Sequence, residues 1–305
     1  MIIHSTTPST FAILFSKKGS IIPIIWRRVL FTVLLSSVVV LSHGTLYHYK
    51  IIITAAPFTI WGITLAIFLS FRNNVAYQRF WEARTLWGQL LISSRNLTRQ
   101  LVSFFPQLTK EEQQAITNKI IAFSYGLRNR LRDNSPLQDL EPYLTKQEYQ
   151  ELEKSPNIPN NLLSKLGIEF ANVCQKTNTN AVLLSSVDRE LSHLSGVLSG
   201  CEKIKNTPLP FPYILLLHRT VHIYCFVLPF CLVDSIGWTT PFAVCFLAYT
   251  FFGLDALGDQ ISDPFDAQQN DLPLDAMSRN LEINVKEIIG QELPEPINPV
   301  DDVLM

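Results

Sequence analysis

The sequence predicts an all-α membrane protein with four membrane helices and a helical cytoplasmic part. Three observations carry this reading. Four apolar segments of near-membrane length punctuate the chain. The long polar stretch between the second and third carries helix signals throughout. No period-two alternation, the mark of a half-buried strand, runs for any length. Composition agrees. Of 305 residues, 47% are hydrophobic and 17% charged, against about 25% charged in soluble domains, and the mean hydropathy is +0.18. A formal net charge of −1 offers no basic footprint for nucleic acid. The cysteines, Cys174, Cys201, Cys225, Cys231 and Cys245, are odd in number and form no Cys-x-x-Cys pair. They read as small buried hydrophobes, not as a disulfide framework.

The first membrane segment covers about 21–43 and is interrupted by Arg27-Arg28. Its clean apolar core, Val29 to Leu41, is shorter than the about 20 residues that span a bilayer. The polar arm before it and the lack of a small-residue cleavage pattern after Leu41 argue against a cleaved signal. The second segment covers about 52–71. Its end is abrupt: Phe71 is followed by Arg72-Asn73-Asn74, then Arg79 and Arg84, with no Pro or turn cluster. One helix is therefore expected to leave the bilayer and continue. The third segment covers about 212–233 and holds His218, Arg219 and His222; the fourth covers about 238–254. Membrane helices that pack together or line a water-filled path tolerate such polar groups. Lys17-Lys18, Arg27-Arg28 and the arginines after segment two put both chain ends on the cytoplasmic side.

The polar region, about 72–208 and 255–289, is expected to be helical. Thr109-Lys-Glu-Glu112 and Thr145-Lys-Gln-Glu148 are capping-box patterns. Ile116, Ile120, Phe123 and Leu127 form a stripe of helical period. Pro136, Pro156, Pro159 and Pro208 punctuate the helices. One domain is expected over 1–289, with 290–305 a Pro-rich, acidic, mobile tail.

Ile63, Ile67 and Phe71 recur every four residues and share one helix face. Bulky apolar rings ending at polar groups suit a hydrophobic constriction, and they equally suit ordinary packing. His218 and His222 stand at metal-ligand spacing but lack a third ligand, and read as structural. Asp255, Asp259 and Asp263 read as a solvated acidic face. No glycine-rich phosphate loop or catalytic constellation occurs, so no enzyme, cofactor or resident metal is expected.

Three stretches resemble the bestrophin family in its bacterial branch. They are Phe71-Arg-Asn-Asn-Val-Ala-Tyr-Gln-Arg-Phe-Trp-Glu-Ala-Arg-Thr-Leu-Trp-Gly with Ser94-Arg-Asn-Leu-Thr-Arg-Gln100; Thr207-Pro-Leu-Pro-Phe-Pro-Tyr213; and Asp263-Pro-Phe-Asp with Asn270-Asp-Leu-Pro-Leu-Asp-Ala and Glu282-Ile-Asn284. The resemblance implies a homopentameric ion channel around a central pore, in the bacterial inner membrane among its lipids. It implies a pore neck of Ile63, Ile67 and Phe71, a mouth of Arg72, Asn73 and Asn74, and a second, cytoplasmic constriction, assigned here to Val182. Animal relatives carry an acidic calcium clasp; here Gln268, Gln269 and Asn270 stand in its place, so calcium gating is not expected.

An apolar neck cannot discriminate charge, so selectivity would fall to vestibule and exit residues. Asp188, Glu190, Asp255 and Asp259 favour monovalent cations such as sodium and potassium. An anion (chloride) channel is the alternative, and a membrane scaffold or sensor without flux a second. Ala83 and Gly88 would allow close helix approach on assembly, with Trp81 and Trp87 supplying contact area.

Overall fold

The computed structural model describes residues 1–2, 11, 16, 18–42, 45–46, 49–50, 55–135, 137–178 and 180–304. Among these the chain is helical apart from turns, isolated bridges, a ribbon of two two-residue strands and irregular stretches such as 291–299. Helix α1 is Ile22–Leu41, and strands β1 (Thr45–Leu46) and β2 (Tyr49–Lys50) pair antiparallel, Thr45 opposite Lys50. Helix α2 is Ala55–Phe104, followed by α3 (Lys110–Leu131), α4 (Lys146–Glu153), α5 (Ile158–Lys176) and α6 (Ala181–Asn206). Then come α7 (Phe211–Ile236), α8 (Thr240–Ser262) and α9 (Leu274–Ile289).

The 50 residues of α2 run without a break, as the missing Pro and turn signals predict. Both expected capping boxes form. Thr109 accepts from the Glu112 N–H and Thr145 from the Glu148 N–H, and each glutamate bonds back to the threonine N–H. Gly237 ends α7 at φ +52°, a left-handed geometry that glycine adopts without a Cβ penalty, and a short 3-10 turn leads into α8. Among the described residues, two stretches are long and apolar enough to cross a membrane: Ile22–Leu41 and Phe211–Ser262.

The contacts divide the chain into two compact units. One holds α1, the first half of α2, α7 and α8. The other holds Trp81–Thr207 and Pro264–Met305, with Met1. The borders of the units fall at Phe80, Thr207 and Asp263, near the changes between apolar and polar sequence.

In the first unit, α1 packs on α7 and α8, and α7 on α8. Ile25, Leu65, Leu69, Val221, Val244 and Ala248 share its core. In the second, α3 packs against α5 and α9, and α5 against α6. Phe105, Phe123, Phe170 and Leu194 are fully buried there.

Two expectations need correction here. The tail is not free. The Met1 amino group donates to the Leu304 carbonyl, Leu304 N–H donates to Met1 O, and Ile2 bridges Val303. Pro296, Ile297 and Leu304 share a cleft with Met277 and Ile283 of α9. Apolar side chains spaced along a proline-rich segment suffice to tie it down. Likewise, Ala83 and Trp87 are buried inside the subunit. They hold α2 in its own core and offer nothing to assembly, whereas Trp81 is exposed.

Candidate functional site

The candidate site is built on the first half of α2. Leu65, Leu69, Arg72 and Ala76 are buried, and this 3–4 spacing is one helical stripe. The face turned away from it carries Ile63, Ile67 and Phe71, which are 57%, 49% and 60% exposed. Within the subunit these three are therefore not core, and the packing alternative fails for this chain on its own. Their face continues through exposed Asn74 and Gln78.

Each residue step turns the side chain by about 100°, so Arg72, Asn73 and Asn74 part company. Arg72 points inward and is 1% exposed. Its Nη1 donates to Asp255 Oδ1 at 2.7 Å, and its Nη2 donates to Asp259 Oδ1. Asn73 Nδ2 donates to the Leu254 carbonyl at 2.9 Å. Only Asn74 faces outward. The expectation that all three ring a pore mouth is corrected on this point: a buried, doubly paired guanidinium cannot present its charge at a mouth.

Asp255 is likewise corrected as an exit charge. It is fully buried because α8 continues eight residues beyond Leu254, to Ser262. His218 Nδ1 lies 2.6 Å from Asp255 Oδ2, and His218 Nε2 lies 3.3 Å from Asp259 Oδ2. Arg28 Nη1 reaches Asp255 at 4.0 Å. A buried carboxylate survives by being paired and hydrogen-bonded, and Asp255 takes partners from α1, α2 and α7. Gly258 makes room for this cluster. A Cβ there would collide with Asn73 Oδ1 and come within 3.3 Å of Arg72 Cζ.

His218, Asp255 and Asp259 offer ligand atoms within 4.8 Å of one another. By donor type they could hold a cation. Arg72 already bonds both carboxylates, so the charge a metal would neutralise is compensated. His222 stands apart, with its Nδ1 bonded to the His218 carbonyl at 2.7 Å.

At the start of α6, the Asn180 side chain accepts from Val182 N–H, and Val182 is 71% exposed. Asp188 is exposed. Glu190 is corrected as a free vestibule charge: its side chain is mostly buried, accepts from Asn96 Nδ2 at 3.1 Å, and lies 3.5 Å from His193. In the loop after α8, Asp271 is buried and accepts from Gln268 N–H at 2.8 Å, while Asp266 lies 3.8 Å from Lys205. Among the described residues these carboxylates form no cluster with ligand geometry for calcium.

The motif ending at Asn284 is structural. Glu282 is buried and accepts from Tyr125, Tyr143 and Lys286, each at 2.8 Å. Burial alone would raise its carboxyl pKa, but the bonds from Lys286, Tyr125 and Tyr143 outweigh that and hold it below the ordinary range. Asn284 accepts from Arg95.

The family model described as Bacterial/Fungal Bestrophin protein matches residues 1–287. The chain belongs to the bestrophin family. A bacterial bestrophin homolog from Klebsiella pneumoniae, solved by crystallography, superposes with a TM-score of 0.85 at 38% identity, over 88% of this chain and 99% of that one. A Salmonella typhi relative named voltage-dependent anion channel-forming protein YneE is 39% identical over 90% of each chain. A Mesorhizobium japonicum relative with the same description is 36% identical over 94% of this chain and 92% of its own. The bestrophin match ends before the tail, and it spans both compact units.

Proposed function

We propose that this chain is the pore-forming subunit of a passive ion channel, a homopentamer in the bacterial inner membrane. The observation that carries the reading is the exposed apolar strip Ile63, Ile67 and Phe71 on a helix whose opposite face is buried. Five copies around an axis would give stacked apolar rings narrow enough to favour dewetting. The four spans are α1, the first half of α2, α7 and α8, with both chain ends cytoplasmic. Val182, exposed at the start of α6, is the residue of the second constriction.

The permeant ion in this proposal is an anion, against the cation preference expected from the sequence. That preference needed four carboxylates facing the ion path. Asp255 is buried and bonded, Glu190 is mostly buried and bonded, and Asp259 is paired with Arg72. Of the four, only Asp188 is exposed and makes no hydrogen bond or ion pair among the described residues. The relatives named as anion channel-forming proteins lend support to the same side. No calcium step is included, because Asp266 and Asp271 already have partners within the protein.

The test is the reversal potential of the purified protein in liposomes under a salt gradient. A shift to the chloride equilibrium potential is expected. A shift to the sodium or potassium potential would return the cation reading, with Asp188 as the first residue to change. Absence of flux would leave the scaffold reading standing.

A further inference from the structure

A cleft of about 550 Å³ opens between α1, α7 and α8. Its walls are apolar: Phe31 of α1, Ile223 and Phe226 of α7, and Phe252 of α8. Phe31, Ile223 and Phe226 are exposed. Its rim is cationic or ionisable, with Arg27, Arg28 and His222, and among the described residues no carboxylate lines it. We propose that this cleft binds one anionic phospholipid of the inner leaflet, headgroup on the arginines and an acyl chain along the phenyl walls. The proposal rests on the reading above that α1, α7 and α8 cross a bilayer.

Charge decides the occupant. Arg27 stacks over Trp26, its guanidinium 5.5 Å from the ring, and makes no ion pair among the described residues. Arg28 approaches Asp255, but that carboxylate is shared with Arg72 and His218. Arg27, Arg28 and Arg72 against Asp255 and Asp259 leave one positive charge uncompensated, and it sits at the cleft. His222 adds a donor when protonated. A carbonyl only accepts, so its bond to His218 O puts a proton on Nδ1 and leaves Nε2 as the second site. The Thr32 hydroxyl is already spent on the Arg28 carbonyl at 2.6 Å. A basic rim on an apolar cleft between membrane helices, on the cytoplasmic side, is the arrangement that suits an acidic lipid headgroup. A zwitterionic lipid would fill the walls equally but gain nothing from the rim.

The experiment uses the full chain in mild detergent. Phosphatidylglycerol and phosphatidylcholine of identical acyl chains are offered in equal amounts, and retained lipid is read by native mass spectrometry. Phosphatidylglycerol is expected to be retained in preference. Arg27→Gln should weaken its retention about fivefold, the loss expected for one arginine near an anionic surface. Ile223→Asn, on the exposed wall, should weaken both lipids. Arg219→Gln removes an exposed α7 arginine outside the cleft and should leave retention unchanged.

Equal retention of the two lipids overturns the proposal. So does equal loss in Arg27→Gln and Arg219→Gln, which would mean diffuse surface attraction. A changed subunit number in Arg27→Gln or Ile223→Asn would make the cleft a seam between copies and also overturn it. Failure of the protein to fractionate with membranes would sink this proposal and the membrane reading together. Absence of flux beside an intact lipid preference would sink only the channel reading.

Discussion

At the scale of single residues, the least expected feature is the fate of the charges next to the neck. Arg72 follows an exposed phenylalanine yet is among the most buried side chains of the protein. Burying a guanidinium is tolerable because Asp255 and Asp259 meet it, and Asp255 is tolerable because Arg72, His218 and Arg28 meet it in turn. Removing one partner leaves the other buried and uncompensated. Asp255→Asn is therefore expected to destabilise the protein by about 3–5 kcal/mol, and Arg72→Gln by a comparable amount. The double change should cost clearly less than the two singles together, since it leaves no orphaned charge. Thermal unfolding of all three variants in detergent checks this. Strict additivity would mean that the two groups do not depend on each other.

At the scale of elements, α2 shows what the sequence makes readable and what it hides. Its continuity, the capping boxes at Thr109 and Thr145 and the end of α6 before Pro208 were legible because they depend on neighbours a few residues away. The outward strip was legible for the same reason, since a spacing of four defines a face. The partners of Arg72 were not. Asp255 is 183 residues away, and acidic residues after an apolar run resemble a solvated exit until a second helix covers them. Glu190 misled in the same way, because only the fold brings Asn96 to it. The exposed strip gives this scale its prediction. Replacing Ile63, Ile67 and Phe71 together by Ala should raise single-channel conductance severalfold, because smaller rings relax the dewetting barrier. Stability should change little, since exposed side chains contribute little to the subunit's own core. Conductance measured in planar bilayers, with unfolding followed in parallel, separates the outcomes. Unfolding with unchanged conductance per channel would return these residues to a packing role.

At the scale of the whole molecule, exposed apolar surface argues for company. On α2 alone, Ile60, Ile63, Ile67, Phe68, Phe71, Val75, Tyr77 and Trp81 are exposed. Their numbering cannot fit one stripe: at about 100° per residue Ile60, Ile63, Ile67 and Phe71 share one side, while Phe68 and Val75 fall to one flank of it and Tyr77 to the other, and Trp81 returns to the first side only beyond the charged break. A neck facing an axis uses only the first set. The second needs lipid or a neighbouring subunit. Trp81 and Tyr77 lie at and beyond the charged break after Phe71, where hydrocarbon is a poor explanation and a protein neighbour a good one, because aromatic side chains bury large area at assembly surfaces. An obligate homo-oligomer, with five copies as the proposed number, is the expected outcome. Mass measurement in mild detergent should give five times the chain mass of 34.7 kDa. Trp81→Glu should shift that mass towards smaller species, since a charge would have to be buried without a partner, whereas Ile63→Ala should not. Monomers alone from the unaltered protein would overturn the assembly, and with it the rings on which the neck depends. A full oligomer in Trp81→Glu would move the seam to another face of the subunit.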